Sequence, residues 1–243
     1  MDPTRRRLAL LAPLLALPGC ARAESDGREA ARQSMVRNIR QLLAAGAAGE
    51  VRRLTPRVGA AFEAVPRHRF VPPDLQDVAY GDHPLPIGHQ ATISQPLVVA
   101  AMTELAATRP EDRVLEVGTG SGYQAAILSL LVRQVFSIEL VEALADSAAE
   151  RLARLDYRNV EVRAGDGYLG WPEEAPFDAI VVTAGAPFVP PALVEQLRPG
   201  RRMVIPVGRR GAQQLMVVEK DASGRVGERR VMPVAFVPLR PAS

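Results

Sequence analysis

From Val114 onward, short apolar runs alternate with helical stretches, and this alternation leaves few folds open. VLEV (114–117), VFSIE (135–139), VEVRAG (160–165), FDAIVV (177–182) and MVIPV (203–207) are short, bounded by turn residues and mostly apolar without a solvated face. Between them lie the helical YQAAILSLL, VEALADSAAERLARL and PPALVEQL, together with the turn-rich DGYLGWPEEAP. Strands buried on both faces and joined through helices build a parallel sheet, so the expected fold is a doubly wound α/β domain. The last two β-rich runs, QQLMVVEK and RRVMPVAFVPL, have no helix between them and should form a hairpin, giving an antiparallel last strand.

Upstream, Met35, Ile39, Leu42 and Leu43 recur at helical spacing within residues 28–45. A second short helix fits 56–65, with Pro56 at a helix-start position, and helix resumes over 96–107. Residues 66–96 are dense in proline and glycine, and read as an ordered loop without regular elements. Within them PIGHQATISQP (86–96) has neither strand nor helix periodicity, yet runs straight into an apolar helix.

The 243 residues, 47% hydrophobic and 23% charged, suit one large globular domain. The net charge is +3, but the basic runs at 5–7, 209–210 and 229–230 are scattered, which argues against nucleic-acid recognition. One cysteine excludes an internal disulfide, and His68, His83 and His89 form no HxxxH or HxH pair that would hold zinc. Residues 1–27 differ in kind: Arg5-Arg6-Arg7, then LALLAPLLALPG, then Cys20, a pattern resembling a lipoprotein leader. Ala21-Arg22-Ala23 offers an alternative cleavage site. The expected organisation is a leader over 1–27 and a single domain over 28–243, with a membrane as partner only if Cys20 is lipidated. Fractionation with and without Cys20 separates these cases.

The strongest chemical signal is VLEVGTGSGY, with Gly118, Gly120 and Gly122 between a strand and a helix. Glycines permit a tight turn and close ligand approach, and the helix start offers free N–H groups. Glu139, 21 residues past Gly118 and ending the next strand, is placed to hold two ribose hydroxyls. A dinucleotide loop would be GxGxxG, but Tyr123 occupies the third glycine position. S-adenosylmethionine (SAM) has no pyrophosphate and suits the GxGxG variant, with Glu116 toward the cationic methionine end. Asp166-Gly167 follows the third strand, again at a carboxyl end, where a ligand crevice should lie.

Taken together, AVPRHRFVP (64–72), LPIGHQATISQP (85–96), VLEVGTGSGYQAAIL (114–128), AGDGYLGW (164–171), APFDAIVVTAGAP (175–187), LRPGRRMVIPVG (197–208) and AFVPL (235–239) resemble the protein-L-isoaspartate O-methyltransferase family. The resemblance implies a seven-stranded SAM-methyltransferase sheet and methyl transfer to the free α-carboxylate of L-isoaspartyl residues in damaged proteins. That methylation initiates repair to aspartyl. It implies Ser94 as the active-site residue with Thr92, Ile93 and Gln95 around it. His68, His83 and His89 read mainly as loop or packing residues, with His89 alone expected to border the cleft. The resemblance further implies Glu116, Gly118, Gly120 and Gly122 as the SAM loop, Glu139 as the ribose ligand, and Asp166 near the adenine. The expected state is a cytoplasmic monomer, with export to the periplasm or lipid anchoring as the alternative the leader raises. Arg201 stands where the family commonly has a second glycine, in what reads as a turn, and Leu140 replaces a frequently basic residue.

A carboxylate is ionised near neutral pH, so such an enzyme needs alignment rather than a general base. Ser94 is expected to donate a hydrogen bond to the acceptor carboxylate, aided by free N–H groups at the start of the helix beginning with Pro96. The alternative for Ser94 is an ordinary N-cap. Rival readings are a SAM enzyme acting on another carboxylate or small molecule, or a non-enzymatic exported lipoprotein retaining the fold. A nucleic-acid amine methyltransferase would carry an Asn/Asp-Pro-Pro-aromatic motif where TAGAP (183–187) stands.

Overall fold

The computed structural model describes residues 28–242, so the leader reading, Cys20 included, lies outside them. Three helices come before the main sheet. Helix α1 (Glu29–Ala44) buries Met35, Val36, Ile39 and Leu43 along one face. Helix α2 (Pro56–Ala64) begins at Thr55, whose Oγ1 accepts the Val58 N–H. Helix α3 (Pro96–Ala106) is almost wholly buried and ends with Ala107 in the left-handed region.

Residues 66–96 are more regular than their proline content suggests. Two 3₁₀ turns, Arg67–Phe70 and Pro73–Val78, lead into a small hairpin of β1 (Leu85–Gly88) and β2 (Ala91–Ile93). The expectation of no regular element is therefore corrected. Strands of four and three residues are too short to show alternation. The turn residues His89 and Gln90 both have positive φ (50° and 60°), the geometry usually carried by Asn-Gly.

The main sheet contains β3 (Arg113–Val117), β4 (Gln134–Glu139), β5 (Val160–Ala164), β6 (Phe177–Val182), β7 (Leu197–Val207), β8 (Gln213–Lys220) and β9 (Val226–Val234). Its order is β5-β4-β3-β6-β7-β8-β9. The first five strands are parallel, β8 runs against both neighbours, and the last strand is antiparallel to its partner, as the missing helix implied. Helix α4 (Tyr123–Ser129) follows β3, α5 (Glu142–Arg154) follows β4, and α6 (Pro191–Gln196) precedes β7.

Alternation along the central strands builds two cores. Val114, Ala179, Val181 and Val204 face α1–α4, while Leu115, Val117, Ile180, Val182 and Met203 face Trp171 and Leu193. Trp171 is thus a core residue, edge-on to Phe136 at 5.5 Å. The chain leaves β3 toward β4 and β5, then returns across β3 to β6. The carboxyl ends of β3 and β6 are therefore the switch point, where open α/β sheets place ligands.

Arg201 lies within β7 rather than a turn. Its guanidinium is 2.6 Å from Asp112 Oδ1 and 3.2 Å from Asp178 Oδ1, at the opposite end of the sheet from the switch point. Among the described residues no helix is long and apolar enough to cross a membrane.

Candidate functional site

A cavity of about 270 Å³ opens at the switch point. Its floor is the β3–α4 loop, where Gly118 (φ 99°) and Gly120 (φ 53°) adopt conformations that disfavour other residues. A Cβ on Gly118 would lie 2.5 Å from Thr183 Oγ1, which donates to the Gly118 carbonyl. Gly122 serves differently from expectation. It does not line the cavity but caps α4 with φ 86°, and a Cβ there would meet Leu152 at 3.2 Å.

Two carboxylates reach this cavity. Glu139 at the end of β4 accepts from Gly120 N–H at 2.8 Å and Val141 N–H at 3.1 Å, which fixes the glycine loop to its own acidic partner. Glu116 is fully buried; its Oε2 accepts from Ser137 Oγ, and its Oε1 has no partner. Burial pushes the Glu116 carboxyl up to about 8. The hydrogen bonds from Ser137 and from the Ala125 backbone N–H oppose this rise, and the charge of Glu139 adds to it.

Above the glycine loop sits the β1–β2 hairpin, which contributes His89, Thr92, Ile93 and then Ser94 to the lining. Gly167, Val237 and Leu239 form the far side. The segment after β9 crosses the strand ends as a strap: Gly185 accepts from the Leu239 N–H and donates to the Val237 carbonyl, and the Gln213 amide bonds the Phe236 backbone in both directions. Asp166, expected near the adenine, does not line the cavity. Its Oδ1 accepts from Tyr168 N–H and its Oδ2 from Ala242 N–H, so the carboxylate anchors a turn and the strap.

A second cavity, about 430 Å³, lies beside the first and is lined by Pro84, Gln95, Val98 and residues 233–236. Thr92 and Ser94 line both cavities, so they form the wall between them. The Ser94 hydroxyl is half-buried and has no hydrogen-bond partner among the described residues. Gln95 lies in the second cavity only, and its amide donates to Asp82 Oδ2 at 2.8 Å.

Ser94 is not the helix cap. Gln95 holds that position without a capping bond of its own side chain, and Asp82 Oδ1 accepts the Leu97 N–H at 2.9 Å. The Leu97 N–H, the first donor of α3, is therefore already taken by a carboxylate, and the helix start is less free than expected. The segment carrying Asp82 is held in turn by Arg67, which is wholly buried and donates through Nε to Ala79 O and through Nη2 to His83 O. The Arg67 guanidinium also lies 4.8 Å from the Tyr123 ring centroid. Replacing Asp82 by Ala removes two hydrogen bonds, one of them the cap of α3, and is expected to cost about 1–2 kcal/mol in urea unfolding.

Arg67, Asp82, Thr119 and Ser137 were not singled out by sequence reasoning. A serine inside the apolar run VFSIE was the one local signal available, because a hydroxyl in a strand buried on both faces needs a partner.

A parallel sheet with an antiparallel last strand, a GxGxG loop and a carboxylate at the end of the second strand are the features of the SAM-dependent methyltransferase class. Residues 41–242 match the Protein-L-isoaspartate(D-aspartate) O-methyltransferase (PCMT) family, and the chain belongs to it. It is 54% identical over 242 residues to protein-L-isoaspartate O-methyltransferase 2 of Syntrophobacter fumaroxidans, covering 96% of this chain and 95% of that one. To protein-L-isoaspartate O-methyltransferase 1 of Cupriavidus necator it is 53% identical over 227 residues, with 93% and 88% covered. A solved protein-L-isoaspartate O-methyltransferase superposes with TM-score 0.74 at 27% identity, over 85% of this chain and 65% of that one. A Plasmodium falciparum structure provisionally assigned to the same family, in complex with S-adenosyl-L-homocysteine (SAH), gives TM-score 0.71 at 25% identity, over 86% and 98%.

Proposed function

We propose that this chain methylates the free α-carboxylate of L-isoaspartyl residues in proteins, with SAM in the cavity over the glycine loop and the acceptor in the cavity beside it. The observation that carries this reading is the position of Ser94. Its unpartnered hydroxyl stands in the wall that the two cavities share.

The residues of the first cavity suit the cofactor. Glu116 Oε1, buried and unpartnered, complements a cationic methionine end, and Glu139 retains acceptor capacity for ribose hydroxyls. SAM supplies an electrophilic methyl group on a sulfonium. No residue has to remove a proton, because a carboxylic acid in water ionises with a pKa of ~4 and the acceptor is already an anion near neutral pH. The cavity lining accordingly needs no base, and its single histidine, His89, stands exposed at the hairpin tip.

The task left to the protein is alignment, which can supply up to ~7–11 kcal/mol of barrier lowering. Ser94 orients the acceptor by donating its proton to one carboxylate oxygen. The hairpin and the strap keep water away from the line of transfer. Arg67 and Asp82 fix the backbone from which Ser94 projects. A structure with SAH and an isoaspartyl peptide tests the assignment. The peptide carboxylate should lie within hydrogen-bond distance of Ser94 Oγ, and a peptide seated elsewhere removes the second cavity from the account.

A further inference from the structure

Helix α4 is buried along all seven of its residues, yet the second residue of its run YQAAILS is a glutamine. A buried amide needs partners at both of its ends. Gln124 has one. Its Nε2 donates to Thr103 Oγ1 of α3 at 3.1 Å, and Thr103 Oγ1 lies 2.7 Å from the Val99 carbonyl oxygen. Two oxygens at that distance share a proton, and a carbonyl has none, so the Thr103 proton points at Val99. Thr103 can then only accept. This fixes the Gln124 amide with its NH2 toward α3 and leaves Oε1 as the end without a partner.

Gln124 lines the first cavity together with Glu116, whose Oε1 is likewise buried and without a partner. The two side chains belong to one neighbourhood, because the Ala125 N–H, one residue past Gln124, bonds the Glu116 carboxyl. We propose that Gln124 Oε1 is a second acceptor, beside Glu116 Oε1, for the ammonium group of the cofactor's methionine end, with Thr103 as the positioning residue that holds the amide in this orientation. The inference rests on the first cavity being the SAM site. An ammonium carries three N–H donors and no acceptor, so a pair of acceptor oxygens matches it. A carboxylate offers only acceptors, so neither oxygen suits the other charged group of the methionine portion.

The charges of the site explain why this second acceptor is an amide. Glu116 and Glu139 already repel each other across the glycine loop, and a third carboxylate would add to that repulsion. A glutamine supplies a directed acceptor without further charge. The neighbouring residue cannot take the role. Tyr123 also lines the cavity, but its ring packs against Phe62, Phe70 and the Arg67 guanidinium. Glu139 is engaged by the Gly120 and Val141 N–H groups at the end of β4, the position read as the ribose end. The site thus divides its acceptors, with Glu139 for the ribose and Glu116 with Gln124 for the amine.

Titration calorimetry of the full chain reads the contact with SAH, with its decarboxylated analogue, which keeps the amine, and with 5′-methylthioadenosine, which lacks the amino-acid portion. Gln124→Leu is expected to weaken SAH and the decarboxylated analogue by roughly 10- to 100-fold, as loss of a hydrogen bond to a charged group does, and to leave 5′-methylthioadenosine within about twofold. Thr103→Val, which removes the anchor of the amide, should weaken the same two ligands by about two- to tenfold. In a structure of the wild type with SAH, the ammonium nitrogen should lie within about 3.2 Å of both oxygens. Unchanged SAH affinity in Gln124→Leu, or equal weakening of all three ligands, overturns the inference. Weakening confined to SAH also overturns it, because the amide then holds the carboxylate. An SAH complex with its nitrogen out of reach of Gln124 Oε1 does the same, even if neither variant folds. Failure of the wild type to bind any of the three overturns instead the assignment of the cavity on which the inference rests.

Discussion

Replacing Ser94 by Ala is expected to lower kcat by roughly 10²-fold while SAH affinity stays within about twofold. The size follows from what alignment contributes: a displacement of about 1 Å in the acceptor can cost that factor. Selectivity between the two readouts follows from position. Ser94 lies in the wall of the cofactor cavity but makes no bond to the glycine loop, Glu116 or Glu139. Stability should change by less than about 0.5 kcal/mol, because the hydroxyl has no partner and the cap of α3 is supplied by Asp82. This separates a role in orienting the acceptor from a role in the fold. An alanine variant with full activity would remove Ser94 from the mechanism. One that unfolds early would return it to a structural role.

The largest stability effect belongs at the other end of the sheet. Arg201→Ala should destabilise the domain by about 3–5 kcal/mol, because it strands the nearly buried Asp112 and leaves Asp178 only the Arg198 guanidinium, 3.6 Å away. Asp112 also accepts the Arg109 N–H and Asp178 the Arg113 N–H, so neither side chain can swing out to water without breaking a further bond. For a domain of this size the loss corresponds to a fall in Tm of roughly 6–20 °C. Adding Asp112→Asn to the Arg201→Ala variant should recover part of the loss by removing the stranded charge. Activity per folded molecule should be unchanged, since the triad lies at the amino ends of β3 and β6 and the cavity at their carboxyl ends. A melting point unmoved by Arg201→Ala would show the pair to be an exposed contact of little worth.

What was legible in the sequence divides along the reach of the interactions. Strands β3, β4, β6 and their helices show because burial on both faces leaves unbroken apolar runs, and the glycine loop because positive φ demands glycine locally. The pairing of Glu139 with that loop follows from a fixed spacing within one β-α-β unit. The hairpin over the cavity was hidden by its size and by a His-Gln turn. Asp166 reads as a neighbour of the adenine because a carboxylate stands at a strand end, and the structure adds that it anchors a turn and the strap beside the cavity-lining Gly167. Its bond to Ala242 comes from 76 residues away, and no local pattern announces it. The same is true of Arg201, whose partner Asp112 is 89 residues distant, and of Arg67, which braces the Asp82 segment through backbone carbonyls. Long-range polar pairs leave no periodicity, so a sequence shows which residues could form them but not which do.

The central claim is that the wall at Ser94 presents an isoaspartyl carboxylate to the methyl donor. Its most direct test is transfer of a labelled methyl group from SAM to an isoaspartyl peptide and to its aspartyl twin, followed by mild base. The account predicts a base-labile methyl ester on the isoaspartyl peptide alone. Equal labelling of the twin, or no labelling of either by protein that binds SAM, would contradict it.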